Sequence, residues 1–380
     1  MSRQNNHVRI LIDYRPALRH RTGVGLWVEK LVEALATCRI QNGLSIQVFS
    51  SSWKDRLSNT LPPGVKAFDQ RVPVKLLNWF WHHKEWPSIE TLTQESFDIV
   101  HSPSPLLIPS KHAASLVTIH DIDFLRNPKH GNREIRRDYP TLARSHAQRA
   151  NGVIVPSSYT KSEVSHALRI SPDKITVCPN GAPAWNALPL PRKGRHILFV
   201  GTISPRKNID RLLTAYATLR RQLANPPPLV LAGKAASEAA ATLTRLSETP
   251  LAGHVHLTGY VSEDRLLDLY SEAILVVLPS LDEGFGIPAL EAMALGIPLV
   301  AAHTGALPEV VGDAGLLVDP LAPATISNAL KRLVTDSDLR DRLSLAGLTR
   351  ASLFSWDTSA TSLIQAYEQA IASHRAQHAE

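Results

Sequence analysis

Along the chain, short apolar runs of strand length alternate with longer stretches whose apolar residues recur at helical spacing. Val8–Asp13, Ile46–Ser50, Asp98–Ser102, Ser115–Ile119, Gly152–Ser157 and Ile175–Asn180 read as strands in the first half. His196–Gly201, Leu229–Gly233, His254–Tyr260, Ala273–Leu278 and Leu299–Ala302 read as strands in the second. Runs this continuous and β-branched suit a sheet buried on both faces. Between them, helical patterns cover Leu26–Ala36, Asn132–Ala150, a stretch from near Lys161, Ile209–Leu219, Glu263–Ala273, Ala289–Leu295, Ile326–Ala346 and Trp356–His374. Strand and helix in regular alternation predict α/β architecture with parallel sheets.

The pattern breaks once, over Ala182–Arg195, where APAWNALPLPRKGR carries prolines and no period. This segment is expected to link a domain of residues 1–181 to a second of 196–355, with 356–380 a terminal helix. Charge changes at the same place. Residues 1–190 hold 24 Lys+Arg against 15 Asp+Glu, and residues 191–380 hold 17 against 19. The basic half is therefore expected to meet an acidic partner such as nucleic acid, anionic lipid or a phosphorylated acceptor. Two cysteines, Cys38 and Cys178, give no disulfide framework or metal spacing and suit a reducing compartment. The polar N-terminus and the lack of a long apolar window lead to the expectation of a cytoplasmic chain, with peripheral contact at the inner face of the membrane left open.

The densest chemistry lies in Ser280–Pro298, SLDEGFGIPALEAMALGIP, just after the strand Ala273–Leu278. Gly284 and Gly286 flank Phe285, and glycines so close let backbone N–H groups turn towards a ligand. Pro288 suits the start of a helix, so a polar loop feeds a helix N-terminus. Glu283 on the loop and Glu291, expected in the first helical turn, are spaced to reach one ligand from two sides. By themselves they read equally as a solvated loop acid and a residue complementing the helix dipole.

This string resembles the signature of the retaining glycosyltransferases of family 4, and within them the mannosyl-transferring branch, which IDYRPALRHRTGVG near the N-terminus also resembles. The resemblance implies the GT-B fold, two Rossmann-like domains facing each other across a cleft, and a C-terminal helix returning to the first domain. It implies that Asp282, Glu283 and the backbone of Gly284, Phe285 and Gly286 hold the transferred sugar of a nucleotide-sugar donor, and that Glu291 takes the ribose hydroxyls. GDP-mannose is the first expectation for the donor and a UDP-sugar the second. The acceptor implied is a growing glycan or lipid-linked oligosaccharide in cell-surface polysaccharide synthesis. No cofactor or metal is expected.

Gly-Thr-x-x-x-Arg-Lys-Asn, Gly201–Asn208, resembles the diphosphate motif of the same family. Two cations after a strand suit an anionic leaving group, so Thr202, Arg206 and Lys207 are candidates. Gly23-Val24-Gly25 between strand and helix suits a phosphate. A dinucleotide fingerprint is the other reading, but Val28 stands where its third glycine belongs. The resemblance turns Gly23 and Gly25 towards the donor diphosphate and brings His120 beside the donor sugar. In His120's other reading, the ring caps a strand and bonds a backbone carbonyl. Lys234 and Val261, each after a strand, are further nucleotide-binding candidates by resemblance. Asp121-Ile122-Asp123 has the form of a manganese-binding pair of another glycosyltransferase fold, a reading the cationic and glycine elements disfavour.

Val74–Pro87, VKLLNWFWHHKEWP, holds three of the seven tryptophans among cations. It reads either as a lipid or acceptor surface or as a core helix with Leu76, Leu77, Phe80 and Trp81 turned inwards. Arg133, Arg136, Arg137, Arg144 and Arg149 form a solvated face or line the acceptor side. A nucleotide-sugar epimerase of the same architecture, a nucleic-acid-binding protein and a NAD-dependent dehydrogenase are competing functions. Nucleic acid fits poorly with a second half acidic on balance, and the dehydrogenase lacks its third glycine.

Overall fold

The computed structural model describes residues 7–18, 23–57, 61–127, 133–189 and 194–378. The chain divides into two compact units, Met1–Gly181 with Ser355–Glu380, and Ala182–Phe354. The segment expected to be a linker packs, as far as it is described, onto the second unit: Trp185 and Leu188 lie against its core. Residues 190–193 fall outside the described ones.

In the first unit the strands are β1 (Val8–Asp13), β2 (Leu44–Ser51), β3 (Lys66–Gln70), β4 (Ile99–Ser102), β5 (Ala114–Thr118), β6 (Gly152–Val155) and β7 (Ile175–Val177). Its helices are α1 (Val24–Cys38), α2 (Val74–Lys84), α3 (Ile89–Thr93), α4 (Asp123–Arg126), α5 (Arg133–Arg149) and α6 (Ser158–Leu168). In the second unit the strands are β8 (His196–Val200), β9 (Leu229–Ala232), β10 (Val255–Gly259), β11 (Ala273–Leu278), β12 (Leu299–Ala302) and β13 (Leu316–Val318). Around them lie α7 (Ile209–Gln222), α8 (Ala240–Arg245), α9 (Glu263–Ser271), α10 (Ile287–Ala294), α11 (Leu307–Val311), α12 (Pro323–Thr335) and α13 (Ser337–Ala351). The last helix, α14 (Trp356–Gln377), belongs to the first unit and packs on α1, β5, β6 and β7.

The first sheet runs β3-β2-β1-β4-β5-β6-β7 and the second β10-β9-β8-β11-β12-β13, with every pairing parallel. In each, strand order reverses beside the first strand: at β1/β4 and at β8/β11. At such a switch point the loops leaving two neighbouring strands diverge to opposite faces and open a crevice for ligands. Buried apolar side chains of α1, α7 and α12 close the faces, and Leu363, Tyr367 and Ala370 of α14 extend the first core.

Three expectations are corrected. The pattern read as one helix over Ile326–Ala346 is two, because Asp336 leaves helical dihedrals and its carboxylate accepts the Leu339 amide at 2.9 Å, capping α13. Glu291 lies in the second turn of α10, whose N-cap is Gly286, so the dipole reading falls away. In α2 only Leu77 and Trp81 are buried, whereas Leu76 is 50% exposed and Trp79 41%.

Candidate functional site

At the second switch point the chain leaves β8 through Gly201 and Thr202 into a 3-10 turn, Pro205–Lys207, before α7. The Leu281 amide donates to the Arg206 carbonyl at 2.8 Å, joining this turn to the loop after β11. Asn208 locks it: its buried amide donates to the carbonyls of Pro279 at 3.0 Å and Pro320 at 2.7 Å. Asn208 stands in the quoted motif, yet its partners are over 70 positions away, and no local pattern reveals that role.

The carboxylate of Glu283 forms the centre. It pairs with the Lys207 ammonium, accepts the Ser280 hydroxyl at 2.7 Å and lies 3.7 Å from the Arg206 guanidinium, which also donates to the Asp282 carbonyl at 3.1 Å. Glu283 is 7% exposed. Burial pushes its carboxyl upwards, but Lys207 and Arg206 outweigh burial and hold it below the usual carboxylate range. An ionised carboxylate so fully engaged is a fixed acceptor rather than a free nucleophile.

Close backbone approach shapes the loop. Gly305 has φ +62°, and a Cβ there would come within 2.7 Å of the Glu283 nitrogen, so this glycine is structural. Gly286, at φ +98°, opens α10 against Leu307. Gly284 is buried between them. The Phe285 ring packs into a cluster with Leu290, Met293 and Val310 and stands edge-on to Phe354 at 5.8 Å. Only its backbone is therefore left to face a ligand.

Glu291 belongs to a second network. Its carboxylate is buried and accepts the Tyr270 hydroxyl at 2.7 Å. Burial pushes the carboxyl up to about 7 against the Tyr270 hydrogen bond, and Glu263 adds to the rise. Tyr270 escapes sequence reading because it sits on α9 and resembles any core tyrosine. At the neighbouring strand ends Thr202 is exposed, Lys234 lies 5.1 Å from the Tyr260 ring, and Val261 packs against the core. Gly201 and Gly233 directly follow β8 and β9, and Gly259 ends the adjacent β10. A Cβ at Gly233 would stand 1.9 Å from the Gly201 carbonyl oxygen. Gly233→Ala is expected to destabilise the fold by about 3 kcal/mol or more, read as a drop in urea midpoint; an unchanged midpoint would refute this packing.

In the first unit, Gly23 caps α1 at φ +57° with open space where a Cβ would go, so backbone conformation and not crowding calls for glycine. Gly25 is buried in the first turn. Residues 19–22 lie outside the described ones. Two residues beyond β5, His120 stands edge-on to Trp27 at 5.0 Å. Burial pushes its imidazole down to about 4, and the ring bonds the Pro103 backbone. Nε2 is buried without a hydrogen-bond partner among the described residues. The capping reading of His120 thus describes one ring nitrogen and leaves the other over.

Asp121 and Asp123 are occupied locally: Asp121 accepts the Asp123 amide at 3.0 Å, and Asp123 accepts the Asn127 side chain at 2.7 Å. The basic run on α5 stays largely solvated, with Arg136, Arg137 and Arg149 exposed, yet several of its cations have partners. Arg137 pairs with Asp138, Arg149 with Glu85, and Arg144 donates to the Leu168 carbonyl. The side chain of Arg133 lies outside the described residues.

Residues 22–184 match the model for Glycosyltransferase Family 4, and residues 186–350 match that for Glycosyl transferases group 1. The O-antigen chain mannosyltransferase B of Escherichia coli is 28% identical over 95% of this chain and 100% of its own length. A D-inositol 3-phosphate glycosyltransferase of Salinispora arenicola is 37% identical, covering 52% of this chain and 46% of its own. The chain thus spans the whole of the first relative and about half of the second. Among solved structures, sucrose-phosphate synthase of Thermosynechococcus elongatus superposes with a TM-score of 0.75 at 22% identity, covering 96% of this chain and 99% of that one. That is a likeness of fold, and the fold is GT-B. The chain belongs to the family-4 glycosyltransferases, most like their mannosyltransferase branch.

Proposed function

We propose that this glycosyltransferase moves mannose from GDP-mannose, with retention of anomeric configuration, onto a growing glycan or lipid-linked oligosaccharide in cell-surface polysaccharide synthesis. The observation that carries the reading is the pairing of Arg206 and Lys207 with Glu283 at the β8/β11 switch point. Charge develops on the leaving diphosphate during transfer, so cations aimed at it stabilise the transition state most. We assign Arg206 and Lys207 to that charge, and Gly23 and Gly25 to the same diphosphate. Glu283, Asp282 and the backbone of residues 284–286 hold the sugar hydroxyls. His120 offers Nε2 to a hydroxyl of the donor sugar, Glu291 takes the ribose, and Thr202, Lys234 and Val261 face the nucleotide. Glu283 already accepts from Lys207 and Ser280, which favours a positioning role. The acceptor then attacks the face that the diphosphate leaves, and a donor phosphate oxygen receives its proton. In this reading two side-chain cations do the work a metal would do, and none is assigned to the step. We place the acceptor end of the reaction at an anionic membrane surface.

A panel of GDP- and UDP-sugars, assayed with EDTA for binding and slow donor hydrolysis, tests the donor. GDP-mannose is expected to bind at least about tenfold tighter than UDP-glucose. Preference for UDP-glucose would overturn the mannose assignment and leave glycosyl transfer standing.

The raised carboxyl of Glu291 makes donor binding depend on pH. Its ionised form accepts ribose hydroxyls, and that form grows as pH rises through about 7. Donor affinity should therefore climb by up to about tenfold between roughly pH 6 and pH 8. The same group costs stability progressively above its ordinary range and fully once ionised. Glu291→Gln is expected to bind more weakly at pH 8 with a flat profile in calorimetry, and a variant retaining the slope would remove Glu291 from the ribose.

A further inference from the structure

Helix α2 carries an apolar face that nothing among the described residues covers. Leu77 and Trp81 point into the core, and Trp81 donates to the Pro87 carbonyl at 2.9 Å. The helix is clamped from beneath: His82 bonds the buried Asp138 at 2.7 Å, and Arg15, held by Asp13, bonds Asn78 and stacks on Trp81 at 4.6 Å. The opposite side shows Lys75, Leu76, Trp79 and His83, all exposed and all within one stripe at helical spacing. Trp79, Phe80 and Trp86 form a contiguous aromatic ridge, with rings 5.1 and 5.9 Å apart, and Trp86 is 61% exposed. A rigidly seated helix that turns a leucine and a tryptophan outwards, with a second exposed tryptophan two residues past its end, has an unfilled partner.

Charge selects that partner. Lys75 and Lys84 lie on α2 itself and Arg71 three residues before it, all exposed and without an ion-pair partner among the described residues. The acids flanking α2 in sequence are already engaged: Asp69 by Arg56, Glu85 by Arg149, Glu90 by Ser110 and Glu95 by Lys66. A surface of indole rings edged by unpaired cations matches the headgroup layer of an anionic bilayer, where indoles take the polar–apolar boundary and lysines reach phosphate. No helix among the described residues is long and apolar enough to cross a membrane.

We propose that the outward face of α2, with Leu76, Trp79 and Trp86 inserted at headgroup depth and Arg71, Lys75 and Lys84 on lipid phosphates, docks this protein on an anionic lipid surface. This names the face that makes the membrane contact proposed above, and it owes nothing to the donor chemistry, so either can fail without the other.

The full chain is mixed with vesicles of phosphatidylcholine alone and of phosphatidylcholine with phosphatidylglycerol, and followed by flotation and tryptophan emission at low and physiological salt. It is expected to float with the anionic vesicles, more weakly as salt rises, with a blue shift in emission. The double variant Trp79→Ser, Trp86→Ser should lose about tenfold or more in partition. Lys75→Gln with Lys84→Gln should lose a similar factor on anionic vesicles alone. All four side chains are exposed, so circular dichroism melts should match the parent. Absence of parent flotation with anionic vesicles would overturn the proposal. So would equal flotation of the tryptophan variant, or an emission response to soluble oligosaccharide with none to vesicles, which would make the ridge a glycan platform.

Discussion

Replacing Lys207 by methionine is expected to lower kcat/KM by about a thousandfold and, separately, to destabilise the second unit by about 3–5 kcal/mol. The two effects have different origins. Activity falls because one of two cations assigned to the leaving diphosphate is gone. Stability falls because Glu283, ionised and almost wholly buried, loses its closest counter-charge and keeps only Ser280 and the more distant Arg206. A second variant separates them. Lys207→Met with Glu283→Gln removes the stranded charge and should recover most of the lost stability while activity stays low. Recovery of activity together with stability would mean that Lys207 is a structural partner of Glu283 and nothing more. The sign with pH follows from the held-down carboxyl. The pair's contribution is complete above the ordinary carboxylate range and is lost as pH falls through the lowered value.

Arg206→Ala should cost about a hundredfold to a thousandfold in kcat/KM with a much smaller change in stability. Its guanidinium is 22% exposed and lies farther from Glu283 than Lys207 does. Arg206→Lys should recover little, because a planar fork can bond a carbonyl and a phosphate oxygen together where an ammonium is a point charge. Urea melts and steady-state kinetics on the three variants separate Arg206, whose loss is mainly kinetic, from Lys207, whose loss is kinetic and structural. A melt of Arg206→Ala as damaged as that of Lys207→Met would contradict this division.

What the sequence made legible follows from burial. β11 and β12 match their runs residue for residue, because a parallel strand covered on both faces is apolar throughout, and β1 matches through its buried centre Ile10–Ile12 between Arg9 and Asp13. β3 was missed because it is an edge strand: KAFDQ has two exposed and three half-buried residues, so no run forms. β13 is three residues long and leaves no period. The motifs placed Arg206, Lys207 and Glu283 at strand ends in advance, but the contact between them spans 76 positions and only the fold supplies it. The Tyr270 hydroxyl under Glu291 was hidden for the same reason. The pattern over Val74–Pro87 was ambiguous because apolar residues lie on both sides of the helix. The fold assigns Leu77 and Trp81 to the core and leaves Leu76, Trp79 and Trp86 outside.

The central claim is that the β8/β11 switch point binds a diphosphate through Arg206 and Lys207. Its most direct test is the ratio of affinities for nucleoside diphosphate and monophosphate, measured by calorimetry with GDP and GMP, or with UDP and UMP if the panel selects them. The parent protein should prefer the diphosphate by about a hundredfold, and Arg206→Ala should reduce that preference to about tenfold or less while monophosphate affinity changes little. An equal ratio in parent and variant, or a variant that weakens both nucleotides alike, would contradict the account.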